Sequence, residues 1–200
     1  MGQRFLLFFL LVLPLGGSAQ KFPFEFWHEG KIVLETNDTL KGQVKYNMQE
    51  DLVQLQENNK LDTYTSRKVV YFEIFDVTTK RYRQFYSLPY AVTGQYRAPV
   101  FFELLEEGKM TLLAREALEA RTYSSFYYYG TYSQLVLVDK YFLMKEDGTI
   151  VPFIGKKNDL IELMGAKGDA VAKFAKENKL DFDKKYDVAQ MVDHYNSLFK

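Results

Sequence analysis

Between residues 31 and 154 apolar and polar side chains alternate with a period of two. Leu40, Val44 and Tyr46 fall on one side of a run whose other side carries Lys41, Gln43 and Lys45, the signature of a half-buried antiparallel strand. Comparable runs occupy 31–36, 52–55, 69–75 and 82–88, separated by the turn formers Asn37-Asp38, Glu50-Asp51 and Asn58-Asn59 and closed by Pro89. Runs 100–105 and 110–114 flank Glu106-Glu107-Gly108-Lys109, and run 132–144 is followed by Asp147-Gly148 and a returning run, 149–154. Both arrangements predict hairpins, the first from a four-residue connection with Gly late in the turn and the second from the Asp-Gly dipeptide. Residues 115–121 fit either an extended strand or a helical turn.

After Gly155 the apolar period becomes helical. A short helix is predicted at 159–164, stopped by Gly165, and a second at 170–176 with Asp169 as its cap. A third follows Asp183, with Val188, Met191, Val192, Tyr195 and Leu198 along one stripe. Lys173, Lys176, Lys184 and Lys185 lie mostly off the apolar stripe. The expected fold is α+β: an antiparallel β-sheet or partly closed barrel-like body over 31–154, then a tail of two to three short helices over 156–200. Nothing rich in Pro, Gly or Ser divides the chain, so 20–200 is expected to be one domain.

The first nineteen residues follow a different logic. Arg4 precedes an apolar run, 5–15, and Gly17 and Ala19 supply the small side chains that signal peptidase requires. That order predicts a secretory signal peptide cleaved after Ala19, leaving Gln20 first. The run is shorter than the roughly 20 residues of a spanning helix, so no stable membrane span is expected once the signal is gone. The destination implied is the periplasm or the cell surface.

Charge and cysteine content then remove whole classes of chemistry. The 26 basic and 26 acidic residues balance, and loss of Arg4 with the signal leaves 25 against 26. Nucleic acid is not an expected partner, since phosphate neutralisation needs a concentrated basic face. With no cysteine, disulfides, thiolate metal sites and cysteine nucleophiles are absent. No cofactor is expected, because no glycine-rich phosphate loop, HExxH or GxSxG pattern occurs. Two histidines, His28 and His194, are too few for the usual metal sites and read as structural. Glu103 with Glu106 and Glu107, and Asp181 with Asp183, are formal carboxylate pairs, but a chain with this many acids always offers such pairs. Arg81 and Arg83 share a strand face, and acidic residues on neighbouring strands would account for them.

One segment stands out for binding: Tyr123-Ser-Ser-Phe126-Tyr127-Tyr128-Tyr129-Gly130-Thr-Tyr132. Four consecutive rings on a strand place two on each side, and tyrosine joins an apolar body to a polar tip. Phe126, Tyr127, Tyr128, Tyr129 and Tyr132 are therefore the candidate binding residues, with an envelope protein or a glycan as partner. The alternatives to a non-catalytic binding or structural module are a carrier for an apolar ligand, a small outer-membrane barrel and, last, a hydrolase.

Five segments carry a family resemblance: Leu40-Lys-Gly-Gln-Val-Lys-Tyr46, Arg83-Gln-Phe-Tyr-Ser-Leu88, Gly108-Lys-Met-Thr-Leu-Leu113, Lys157-Asn-Asp-Leu160 and Tyr195-Asn-Ser-Leu198, with a leader ending Ala19-Gln20. In these the chain resembles a group of uncharacterised exported proteins of the Bacteroidota. The resemblance implies export and an α+β fold, and it brings no activity or catalytic residues.

Overall fold

The computed structural model describes residues 22–91, 94, 96–125, 130–153 and 157–199. Ten antiparallel strands form one sheet. They are β1 His28–Leu34, β2 Thr39–Asn47, β3 Leu52–Glu57, β4 Lys60–Thr65, β5 Val69–Asp76, β6 Arg81–Tyr90, β7 Ala98–Glu106, β8 Thr111–Ser125, β9 Gly130–Met144 and β10 Ile150–Phe153. The spatial order is β10-β9-β8-β7-β6-β5-β1-β2-β3-β4, so hairpins build everything except the pairing of β1 with β5. The sheet is not closed: β4 and β10 are its outer strands. Three helices follow, α1 Lys157–Leu163, α2 Gly168–Glu177 and α3 Lys185–Ser197. The α+β class is as the hydrophobic pattern predicts.

Alternation decides which side of each strand is buried. Ile32, Val44, Tyr46, Val53, Leu55, Phe72, Ile74, Phe85 and Phe101 line the inner face as one cluster. Phe72 and Phe85 stack at 4.5 Å and Phe101 meets Phe72 edge-on at 5.1 Å. Farther along that face, Leu112, Ala114, Tyr141 and Leu143 carry the helices, which contribute Leu160, Val171, Val188, Met191 and Val192. The last helix thus docks by the predicted stripe, and Leu198 packs at its margin. Its end is clasped to the β7–β8 turn. The Asn196 side chain accepts from the Met110 amide and donates to its carbonyl, both at 2.9 Å. A Cβ on Gly108 would lie 2.4 Å from that same amide group, so only glycine fits there.

The sheet curls until distant strands touch through side chains. Four strands separate β2 from β8, yet the Tyr46 hydroxyl donates to Glu116 at 2.9 Å. Arg115 on β8 reaches Asp51, in the β2–β3 turn, at 2.8 Å, and Asp51 also accepts the Phe101 amide at 2.7 Å.

Several local expectations are corrected. β4 falls where the alternation assigns no strand: Asn58 and Asn59 both take positive φ and turn the chain directly back. Residues 115–121 are strand, paired along their whole length with β9. Neither Asp169 nor Asp183 caps a helix. The residues preceding α2 and α3 are Lys167 and Lys184, without side-chain cap bonds, and Asp169 lies inside the first turn of α2. Asp187, in the first turn of α3, instead reaches back to accept the Asp181 amide at 2.9 Å. Among the described residues no helix is long and apolar enough to cross a membrane.

Candidate functional site

Two features could carry function: a buried charge network and a projecting ribbon. Arg83 on β6 is the hub of the first. Its Nε and Nη2 donate to the two carboxylate oxygens of Glu103 at 2.8 and 2.7 Å. Nη2 also meets Glu116 at 2.6 Å, and Nη1 meets Asp76 at 2.9 Å and the Tyr46 hydroxyl at 3.0 Å. Arg83, Asp76, Glu103, Glu116 and Tyr46 are all buried. The parity of the strands puts them together: the interior positions of β2, β5, β6, β7 and β8 converge where the sheet curls. The guanidinium suits the place because its planar fork holds one carboxylate bidentately while its remaining donors serve others.

Lys185 extends the network into the helical tail, with its ammonium 2.9 Å from Glu103 and 2.6 Å from Asp139. The contact to Asp139 Oδ1 is a close ion pair outside hydrogen-bonding geometry. Among the lysines read as mostly off the apolar stripe, Lys185 is the one that opens α3 and points inward. Glu103 is likewise partnered by Arg83, Lys185 and the nearby Glu116 and Asp139 rather than by Glu106 or Glu107.

The electrostatics follow. Burial opposes charge on Glu103, but Arg83 and then Lys185 outweigh it and hold its carboxyl below the usual range. Burial also opposes charge on Asp76. Hydrogen bonds from the Thr78 hydroxyl and amide, together with Arg83, bring it down to about 2. Burial pushes the Tyr46 hydroxyl well up against the pull of Arg83, so it stays a donor to Glu116. Glu103, Glu116 and Asp139 present oxygens within 4.8 Å of one another, a donor set suited to a hard divalent cation. Arg83 and Lys185 already occupy the facing oxygens, and the arrangement reads as a structural ion network. His28 is buried, with Nε2 2.8 Å from the Pro23 carbonyl and Nδ1 accepting the Val77 amide at 3.4 Å. His194 stacks on Phe174 at 4.0 Å. Both histidines have packing roles.

The second feature lies beyond Ala114. There β8 parts from β7, and from Arg115–Lys140 to Ser125–Gly130 the only pairing among the described residues is between β8 and β9. At about 3.3 Å per residue this two-stranded ribbon runs roughly 30 Å. Its outer half is exposed on both sides. Tyr123 and Tyr132 lie opposite each other with rings stacked at 5.6 Å, and they remain 37% and 54% exposed. Leu135, on the other side, is 52% exposed. Of the predicted binding residues, Tyr132 is therefore placed on the ribbon's surface, with Tyr123 as the partner that sequence reasoning did not rank. Phe126, Tyr127, Tyr128 and Tyr129 lie outside the described residues, as does the predicted signal peptide.

At the ribbon's root, along the outer edge of β9, a cleft of about 960 Å³ opens between Tyr141, Phe142, Phe153 and Phe182, with Val138 and Lys140 on the strand itself. Charged residues of both signs border it, Arg115, Arg121, Glu119 and Asp183 among them.

No family model, curated protein or solved structure matches the chain.

Proposed function

We propose that the chain is an exported envelope protein of the Bacteroidota type, a non-catalytic module of the periplasm or cell surface that binds its partner through the β8–β9 ribbon. The observation that carries this reading is the stacked, solvent-facing Tyr123–Tyr132 pair on a ribbon that no third strand among the described residues supports. A two-stranded ribbon is marginal alone in water, and aromatic side chains are the usual anchors of binding surfaces. The leader-like order of residues 1–19 supports export. The ring-filled interior, with Phe72, Phe85 and Phe101 fully buried, favours this reading over a carrier with a greasy chamber. The open sheet favours it over a membrane barrel, where every strand edge must be paired.

The test is photo-cross-linking in intact cells with a reactive group at position 131, beside Tyr132, followed by mass analysis of the product and of the chain's own N-terminus. A discrete adduct on a chain beginning at Gln20 is expected. Tyr123→Ser with Tyr132→Ser should weaken the adduct at least about tenfold, with the melting temperature nearly unchanged, because the rings bury little of the fold. Undiminished adduct in the double variant would remove the rings from the binding surface, and a retained Met1 would remove export.

A further inference from the structure

Among the described residues, the buried side-chain polar atoms all have hydrogen-bond partners except one, Asp139 Oδ1. The group against it is the Lys185 ammonium, 2.6 Å away and outside hydrogen-bonding geometry. A lysine amine is a nucleophile once it has given up a proton, and the carboxyl carbon of Asp139 is the electrophile beside it. Glu103 is the third part of the site. It is buried, and its Oε2 lies 2.9 Å from the same Nζ, within the reach of a general base. The three residues come from separate elements: Asp139 from β9, Glu103 from β7, and Lys185 from the first position of α3. Two residues along β9 from Asp139, the Tyr141 ring lies 5.7 Å from that of Phe153, and Phe182 packs on the same cluster. The pair therefore sits at the margin of an apolar wall.

The geometry points to a covalent end for this contact: an amide bond between Lys185 Nζ and Asp139 Cγ, formed within the folded chain. Nζ passes one proton to Glu103 and attacks Cγ. That proton and a second one from Nζ then leave with one Asp139 oxygen as water. Ammonium and carboxylate disappear together, so atoms and charge balance and no co-reactant is consumed. Holding the two groups in contact supplies what free amines and acids lack, because a fixed partner acts at effective concentrations far above any in solution. Burial favours the product. It opposes the charge on Lys185, although Glu103 and Asp139 outweigh it and push the ammonium's value up, and a neutral amide removes two charges from the interior. Glu103 keeps its place: the amide N–H still donates to Oε2, and Arg83 still holds the carboxylate. The bond ties β9 to the start of α3 and closes residues 139–185 into a loop that contains β10, α1 and α2. In a chain without cysteine it takes the part of a disulfide, restricting the unfolded state.

Mass spectrometry of the purified chain without its leader, after denaturation, tests this directly. The wild type should be lighter than its sequence by one water, and trypsin should release a branched peptide that joins 122–140 to 185–200. The branched peptide decides, since it fixes both ends of the bond. Lys185→Arg keeps the positive charge without the amine, and it should show full mass, separate peptides and a lower melting temperature. Glu103→Gln and Glu116→Gln each take one carboxylate from Arg83, and only the first should stay unlinked. A folded wild type of full mass, with the two peptides separate, overturns the inference. So does a lost water that maps elsewhere in the chain or persists in Lys185→Arg. If both glutamine variants form the bond, or neither does, the role of Glu103 as proton carrier is overturned.

Discussion

Arg83 shows how one side chain can hold a curled sheet in register. Its five short contacts come from the neighbouring strands β5 and β7, from β8 beyond β7, and from β2, which a flat sheet would keep three strands away. A buried ion network adds little over a well-packed apolar core, but removing one partner leaves uncompensated charge. Arg83→Met should therefore cost about 3–5 kcal/mol in chemical denaturation, since three carboxylates are left facing one another. Arg81→Ala removes only a stacking contact on Tyr186 at 4.1 Å and should cost under about 1 kcal/mol. A similar small loss for both would show that the guanidinium is dispensable. The network was partly legible in the sequence. Arg83 could be given acidic neighbours, and Glu116 and Asp139 each sit in phase with apolar residues that face inward, Leu112 with Ala114 and Leu137 with Tyr141. A charge on the buried parity of a strand is the signal. Which acid meets which base was hidden, because that depends on curl, and curl is set by contacts between strands remote in sequence.

At the scale of elements, the tail was legible for the opposite reason: a helical stripe is local. Val188, Met191 and Val192 are fully buried where the spacing places them. Val192→Asp should lower stability by several kcal/mol, because it buries an unpaired charge, whereas Asp193→Asn on the exposed side should change it by less than about 0.5 kcal/mol. Thermal melts of the two variants separate these outcomes, and equal small shifts would mean that α3 is held only by Lys185 and Asn196. The caps were misread because Asp favours both an N-cap and the first turn, where it complements the helix dipole. Asp169 and Asp187 sit in the first turn. The ribbon was half legible. The long apolar run of β9 was evident, but residues 115–121 lacked a decisive period, with Arg115-Glu116 breaking the alternation just where one side turns inward. That β7 would leave β8 at Ala114, freeing the outer edge of β8, is a property of the twisted sheet and leaves no mark on either strand alone.

For the whole molecule, the curl makes stability depend on carboxylates that must stay ionised. Asp76 falls from its ordinary 3.8 to about 2 in the folded chain, and Glu103 is also lowered. A carboxylate whose folded value is depressed contributes stability that is fully present above its unfolded value and lost as pH falls through the folded one. The contribution of Asp76 should thus be complete above about pH 4 and should disappear toward about pH 2, with Glu103 losing its share over the same acid limb. Denaturant midpoints measured at steps from neutral pH down through this window should fall steeply in the wild type. Asp76→Asn should start lower at neutral pH, having lost the ion pair to Arg83 while its amide oxygen still accepts from Thr78. Its acid limb should also be shallower, because one of the titrating groups is gone. Were the two limbs parallel, the steepness would belong to other carboxylates, with Glu103 as the next to test. A flat wild-type profile would carry a stronger message. It would mean that the strands brought together by Arg83 stay together without its ion pairs, and that the ring cluster of Tyr46, Phe72, Phe85 and Phe101 alone sets the curl.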